Sequence, residues 1–410
     1  MPHSTYTNHA PVHPRTRLYL LFEQISSNDA NLGNVEIRYE GLEDEECFRL
    51  GCALTTNWMV NTLDLTSNQL SGVGTSKILQ GLQNASSRVS FLNISSNSVG
   101  LEGATAIGML LNINTAIRML NLHECNIGND GLVVLSNGLA ANRSLDKLVL
   151  SKNQLNEDIA LGALGRALQT SKLTILDLSM NKLGSQGLQA LDLHTNSTLE
   201  TIELWGNGIS ITGGIFVSDT LSSLRSKIQN LNLRSNDLGD IGAESIAFGL
   251  EYNRSLRKMW LSSNHIGDEG ATHLARALRG HALESIYLSC CDIGNEGAKA
   301  FAELLGDPTT HLRVLDLYRN QIGDSGGDAL AKAMNQNVSL HELNITYNRI
   351  HNTKSLKQVR FLCKCNRAGR YLLGENNLPT GLWPLVLSKL NYMLEVRFFF
   401  LREKPDLFIR

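Results

Sequence analysis

The middle of this 410-residue chain is almost without proline: between Pro14 and Pro379 the only one is Pro308. Proline is kept out of helix interiors and central strands, so its absence over so long a stretch suits continuous regular structure. An excess of charge of either sign is lacking too, 37 basic residues facing 39 acidic ones for a formal −2. That argues against a general binder of nucleic acid or of membrane surfaces, which would carry a basic stripe. No apolar run approaches the ~20 residues needed to cross a bilayer. The 7 cysteines are odd in number and scattered (Cys47, Cys52, Cys125, Cys290, Cys291, Cys363, Cys365), with no framework of pairs. A reducing, cytoplasmic setting is the simpler expectation.

Motifs for cofactor chemistry are thin. Cys363-Lys-Cys365 is half of a metal site, and no second pair with zinc spacing follows it. Gly72-Val-Gly74-Thr-Ser-Lys77 lacks the G-x-x-x-x-G-K-[ST] order of a phosphate loop and reads as a turn between repeats. His123-Glu124 beside Cys125 suggests a nucleophile with its base, but Cys125 falls at a turn-closing position where a thiol is buried and inert. No catalytic residue, metal or cofactor is expected. Sequons at Asn84, Asn93, Asn142, Asn196, Asn253, Asn337 and Asn344 follow mostly from the repeat itself and are not read as glycosylation.

Against these absences stands one phrase, repeated. Leu312-Arg-Val-Leu315-Asp-Leu317-Tyr-Arg-Asn320-Gln-Ile322-Gly323 has the form L-x-x-L-x-L-x-x-N-x-I-G, and it returns at Leu173–Gly184, Ile228–Gly239 and Leu256–Gly267. The asparagine position is filled by Asn68, Asn97, Cys125, Asn153, Asn181, Asn207, Asn236, Asn264, Cys291, Asn320 and Asn348, at gaps of 26 to 29 residues. One step earlier, Glu40 with Leu32, Val35 and Ile37 reads as a degenerate opening copy. About twelve repeats thus occupy 31–350, the terminal ones irregular as in any such array.

Each repeat has a physical reading. Leu312, Leu315 and Leu317 turn inward from a short strand, Ile322 joins them, and the amide of Asn320 satisfies turn backbone that would otherwise be buried unpaired. Cysteine at 125 and 291 is a small, weakly donating stand-in. A helix follows, as at Gly267–Leu278, where Gly270 and Ala271 allow close approach to the strands. Strands stack ~4.8 Å apart whereas helices need ~10 Å, so the stack is expected to curve into a horseshoe: parallel strands on the concave face, helices on the convex one.

With its G-D-E-G-A helix start and N-x-S-L before the next strand (Asn142–Leu145, Asn253–Leu256, Asn337–Leu340), the repeat resembles the ribonuclease-inhibitor-like leucine-rich repeats. The resemblance implies an α/β solenoid over about three quarters of the chain. That group shares architecture rather than activity; it includes inhibitors of ribonucleases, sensor halves of innate immune receptors and Ran-directed GTPase activators. Its acidic inhibitors capture basic enzymes, which the near-neutral charge here argues against. The acidic C-terminal stretch of the GTPase activators is also replaced by an aromatic and basic one.

Outside the array, residues 1–16 are polar and turn-rich and read as disordered, and an acid-poor start leaves a transit peptide open. Segment 1–30 ends in the beginning of a cap at Leu18–Ile25, ahead of a helix near Glu43–Ala53. Segment 351–410 reads as a helical C-terminal cap, with a helix at Ser355–Lys364, a joint at Gly374–Pro379, then Leu382–Leu390 and Phe398–Phe408. A docking element is the alternative for this aromatic tail.

Function is sought on the concave face, where residues between the leucines point. Its first half is small and polar. From the sixth repeat on it gains Trp205, Arg234, Trp260, Tyr287, Tyr318 and Arg319, with Tyr347 one place along, the residue types enriched at binding hot spots. A partner footprint and mutual stacking of neighbouring rings are both open readings. The leading function is a non-enzymatic scaffold that binds a protein there; the alternative is an activator of a small GTPase.

Overall fold

The structure, a computed structural model, describes residues 14–367, which fall into two compact units divided in sequence between Asp177 and Leu178. The first unit runs α1 (Pro14–Ser26), β1 (Asn34–Glu36), α2 (Asp44–Thr55), β2 (Thr62–Asp64), α3 (Gly72–Gly81), β3 (Phe91–Asn93), α4 (Gly100–Ile113), β4 (Met119–Asn121), α5 (Gly128–Ala141), β5 (Lys147–Val149), α6 (Asp158–Thr170) and β6 (Ile175–Asp177). The second runs α7 (Gly184–Ala190), β7 (Thr201–Glu203), α8 (Ile211–Ser222), β8 (Asn230–Asn232), α9 (Gly239–Tyr252), β9 (Lys258–Trp260), α10 (Asp268–Ala277), β10 (Ser285–Tyr287), α11 (Asn295–Gly306), β11 (Val314–Asp316), α12 (Asp324–Ala333), β12 (Glu342–Asn344) and α13 (Thr353–Arg367).

The leucine phrase sets the register. Within each unit the strands are parallel and follow chain order, so equivalent residues align: Val35, Leu63, Leu92, Leu120, Leu148 and Leu176 in the first. In the second the row is Ile202, Leu231, Met259, Ile286, Leu315 and Leu343. Every one of these is buried between strand and helix layers. Neighbouring repeats therefore share one core that no single repeat could bury.

The asparagines stitch the turns. Asn236 donates through Nδ2 to Leu204 O (3.1 Å) and Leu233 O (2.8 Å), while its Oδ1 accepts from Asn207 N and Ile209 N. Cys291 keeps the donor half, its thiol pointing at Leu261 O at 3.3 Å. A second ladder closes the other end of the repeats. Asn142, Asn253 and Asn337 each accept from the two N–H groups that lead into the next strand. Each also donates to a carbonyl of the preceding repeat (Leu111, Leu221 and Leu305). His281 occupies that slot between Asn253 and Asn337, accepting Leu283 N–H on Nδ1 at 2.9 Å.

Small residues set the helix spacing. A Cβ on Gly249 of α9 would meet Ser218 Cα and O of α8 at 2.7 Å, so only glycine fits there.

Two expectations need correction. α1 begins at Pro14, inside the stretch read as turn-rich; proline suits a first helical position, where no N–H is needed. Gly72–Lys77 is not a turn but the opening of α3, capped by Ser71, whose hydroxyl accepts from Gly74 N at 3.0 Å. Gly74 sits in close packing, because a Cβ there would lie 3.0 Å from Cys47 Sγ. The readings made for 1–13 and 368–410 lie outside the described residues.

Candidate functional site

The strand face carries a recurring turn that two of the candidate residues, Trp260 and Tyr287, lack. At the end of six strands an Asp or Asn side chain turns back and accepts the N–H two residues on: Asp64 from Thr66, Asn93 from Ser95, Asn121 from His123, Asn232 from Arg234, Asp316 from Tyr318, Asn344 from Thr346. This Asx turn satisfies the backbone where the strand ends. Trp260 and Tyr287 occupy the same position in β9 and β10, directly paired with each other in register. Neither side chain can serve, and Ser289 N turns to Ser262 Oγ at 3.2 Å instead.

These two aromatics meet each other. Their rings stack with centroids 5.3 Å apart and planes 3° from parallel. Both are half-buried, and neither enters the leucine core. Burial, with Glu342 and Asp316 nearby, raises the Tyr287 phenol above its ordinary value, so the hydroxyl stays protonated at any physiological pH.

A second pair lies further on. Tyr318 and Tyr347 approach to 5.1 Å at 59°. Arg319 and Tyr347 stand one residue before their ladder asparagines with φ of +52° and +56°, so their side chains leave the turn rather than the strand. Tyr347 is 76% exposed. Between the pairs sits Asp316, accepting Ser289 Oγ at 2.7 Å. Trp205, 37% exposed, has no ring contact among the described residues. Arg234 is exposed two residues beyond β8, and no carboxylate pairs with it among the described residues.

The first unit's strand face differs. Asp64 there is a hub, bound by Arg38 Nη2 (2.8 Å), Thr66 and Asn93. Burial pushes its carboxyl up, and the hydrogen bonds from Thr66 and Arg38 outweigh that, leaving it below the ordinary value. His123 shares a 2.8 Å hydrogen bond with Ser151. Cys125 points away to Ile94 O at 3.1 Å, and burial pushes its thiol up to about 12, so no thiolate stands ready as a nucleophile. The Asx turns and the Ser289–Asp316 bond were missed in the sequence. Their signal was present as Asp or Asn recurring four places before the ladder residue.

A family model described as a leucine-rich repeat matches residues 56–79, 89–108, 170–191, 226–247, 252–275, 281–302 and 310–331. This chain is a leucine-rich-repeat protein. It is related to ribonuclease inhibitor: the Sus scrofa protein is 26% identical over 371 residues, covering 75% of this chain and 81% of the inhibitor. NACHT, LRR and PYD domains-containing protein 12 of Mus musculus is 26% identical over 323 residues, 70% of this chain but 30% of that protein. An internalin from Listeria monocytogenes superposes with a TM-score of 0.51 at 17% identity, covering 84% of this chain and 91% of that one, a likeness of fold. The fold is an α/β leucine-rich-repeat solenoid. No helix among the described residues of this leucine-rich-repeat protein is long and apolar enough to cross a membrane.

Proposed function

We propose that this leucine-rich-repeat protein is a non-enzymatic scaffold that binds a protein partner on the strand face of its second unit. The observation that carries the reading is the Trp260–Tyr287 stack. At both positions the chain forgoes an Asx turn found in neighbouring repeats and sets a large ring on a solvated surface. Such rings supply wide contact area with little rotamer freedom to lose. Tyr318, Tyr347, Arg234, Arg319 and Trp205 extend the surface with hot-spot residue types. Ribonuclease inhibitor, by its name, acts on another protein, which supports the same general role here.

The test is quantitative affinity capture with wild type beside Trp260→Ala, followed by titration of the protein recovered. Trp260→Ala is expected to weaken that complex by ~2 kcal/mol or more while lowering the melting temperature only slightly, by the loss of the Tyr287 stack, with the fold retained. Unaltered recovery would count against the reading. A GTP-hydrolysis assay on a panel of small GTPases decides the activator alternative, since acceleration by substoichiometric amounts would replace the scaffold.

A further inference from the structure

The helix face of the second unit carries an apolar surface of its own. α9 buries Ala243, Ile246 and Leu250, yet on its opposite side Ile241, Phe248 and Tyr252 recur at helical spacing, each 58% exposed. α8 adds Ile211 and Ile215, 44% and 51% exposed. Among the described residues, α10, α11 and α12 expose no large apolar side chain, so within the second unit the feature is confined to two adjacent helices. Those helices are drawn together by glycine, a Cβ on Gly214 meeting Gly242 Cα at 2.7 Å.

Between α8, α9 and α10 lies a groove of about 530 Å³ whose apolar floor includes Ile215 and Phe248. Asp219, Glu244 and Glu251 line it from α8 and α9; His273 and Arg276 line it from α10. Glu244 lies 3.7 Å from His273, which is cationic only when protonated, and Asp219 and Glu251 form no ion pair among the described residues, so Arg276 alone opposes three carboxylates along the groove. An occupant must therefore match apolar contacts along the floor and supply positive charge over the α8–α9 wall. A second copy of the chain docked about Phe248 would bring two acidic rims together, so it fits poorly.

We propose that this groove docks an amphipathic helix of a partner protein, its apolar face on Ile215 and Phe248 and its basic flank over Asp219, Glu244 and Glu251. In helix-in-groove recognition an amphipathic helix lays its apolar face into a hydrophobic groove, and here the apolar groove residues Ile215 and Phe248 are flanked by acidic ones. The surface is independent of the stacked aromatics, which stand on the strand side of the repeats.

The probes are two fluorescein-labelled synthetic helices of equal length and leucine spacing, one with lysine and one with glutamate on the polar face, titrated with the full chain by anisotropy. The lysine helix is expected to bind and the glutamate helix not. Phe248→Asp should weaken binding about tenfold or more, and Trp260→Ala should leave it unchanged. Phe248→Asp adds a negative charge, so attraction by charge alone would be kept or strengthened in it. Ile215→Ser, at an exposed position, repeats the test should Phe248→Asp fail to fold. Equal binding of both helices, or full binding by both variants, overturns the proposal. So does a wild-type dimer in sedimentation that Phe248→Asp disperses, because the occupant is then a second copy.

Discussion

Trp260 and Tyr287 lie face to face across the β9–β10 register, planes 3° from parallel and centroids 5.3 Å apart. Stacked pairs add about 0.5–1.5 kcal/mol beyond the area they bury. A double-mutant cycle with Trp260→Ala and Tyr287→Ala, read by urea denaturation, should return a coupling of about 1 kcal/mol. A coupling of zero would mean that the contact contributes nothing to the fold, leaving both rings to be explained by binding alone.

His281 gives the array an acid sensitivity. Its ring is buried in the second asparagine ladder with Nε2 unpartnered, and burial, helped by Arg254 and Arg257, lowers it from 6.5 to about 4. The unfolded chain thus takes up a proton between pH 6.5 and 4 that the folded chain refuses. Stability is full above pH 6.5 and falls as pH drops towards 4, by up to about 3 kcal/mol. His281→Asn should flatten that part of the pH–melting curve and raise stability at pH 5, because asparagine supplies the donor that Asn253 and Asn337 direct at a carbonyl. Parallel curves for the two proteins would refute this.

Thiol chemistry should divide sharply. Cys52 is exposed and Cys290 half-buried, whereas burial pushes Cys47, Cys125 and Cys291 up to about 12 and Cys363 up to about 11. Iodoacetamide at pH 8 should mark Cys52 first and Cys290 more slowly, the five buried thiols, Cys365 included, reacting only in denaturant. Peptide mass spectrometry reads the order, and early labelling of Cys125 would contradict it.

Gly249→Ala tests the close packing of α8 and α9. The added methyl meets Ser218 backbone at 2.7 Å, too near to be absorbed by a side-chain shift. Overpacking of this kind costs about 1–3 kcal/mol, although alanine is the better helix former. A lowered denaturation midpoint is expected, and a raised one would show that the helices part freely.

Much of this was legible because leucines at fixed spacing decide both register and face: Leu315 and Leu317 could only point inward, and Asn320 could only close a turn. Side-chain partners were less legible. Spacing placed Trp260 and Tyr287 on one surface but did not decide between stacking and splaying, which depends on neighbours in adjacent repeats. The N-x-S-L motif is visible in three repeats, yet the second ladder it builds is not, because His281 fills the same slot with a different residue type and one shared acceptor. Gly72–Lys77 was misplaced because glycine usually marks turns, whereas here Gly74 answers to Cys47 across a helix contact. The outward apolar stripe of α9 is legible as Ile241, Phe248 and Tyr252 at helical spacing on the face opposite the core.

The central claim is that the strand face of the second unit grips a protein through its stacked rings. It is tested most directly by isothermal titration of the recovered partner into wild type and Trp260→Ala. An affinity weaker by about thirtyfold in Trp260→Ala, with the fold intact by circular dichroism, is the predicted result. Equal affinities for the two proteins would contradict it.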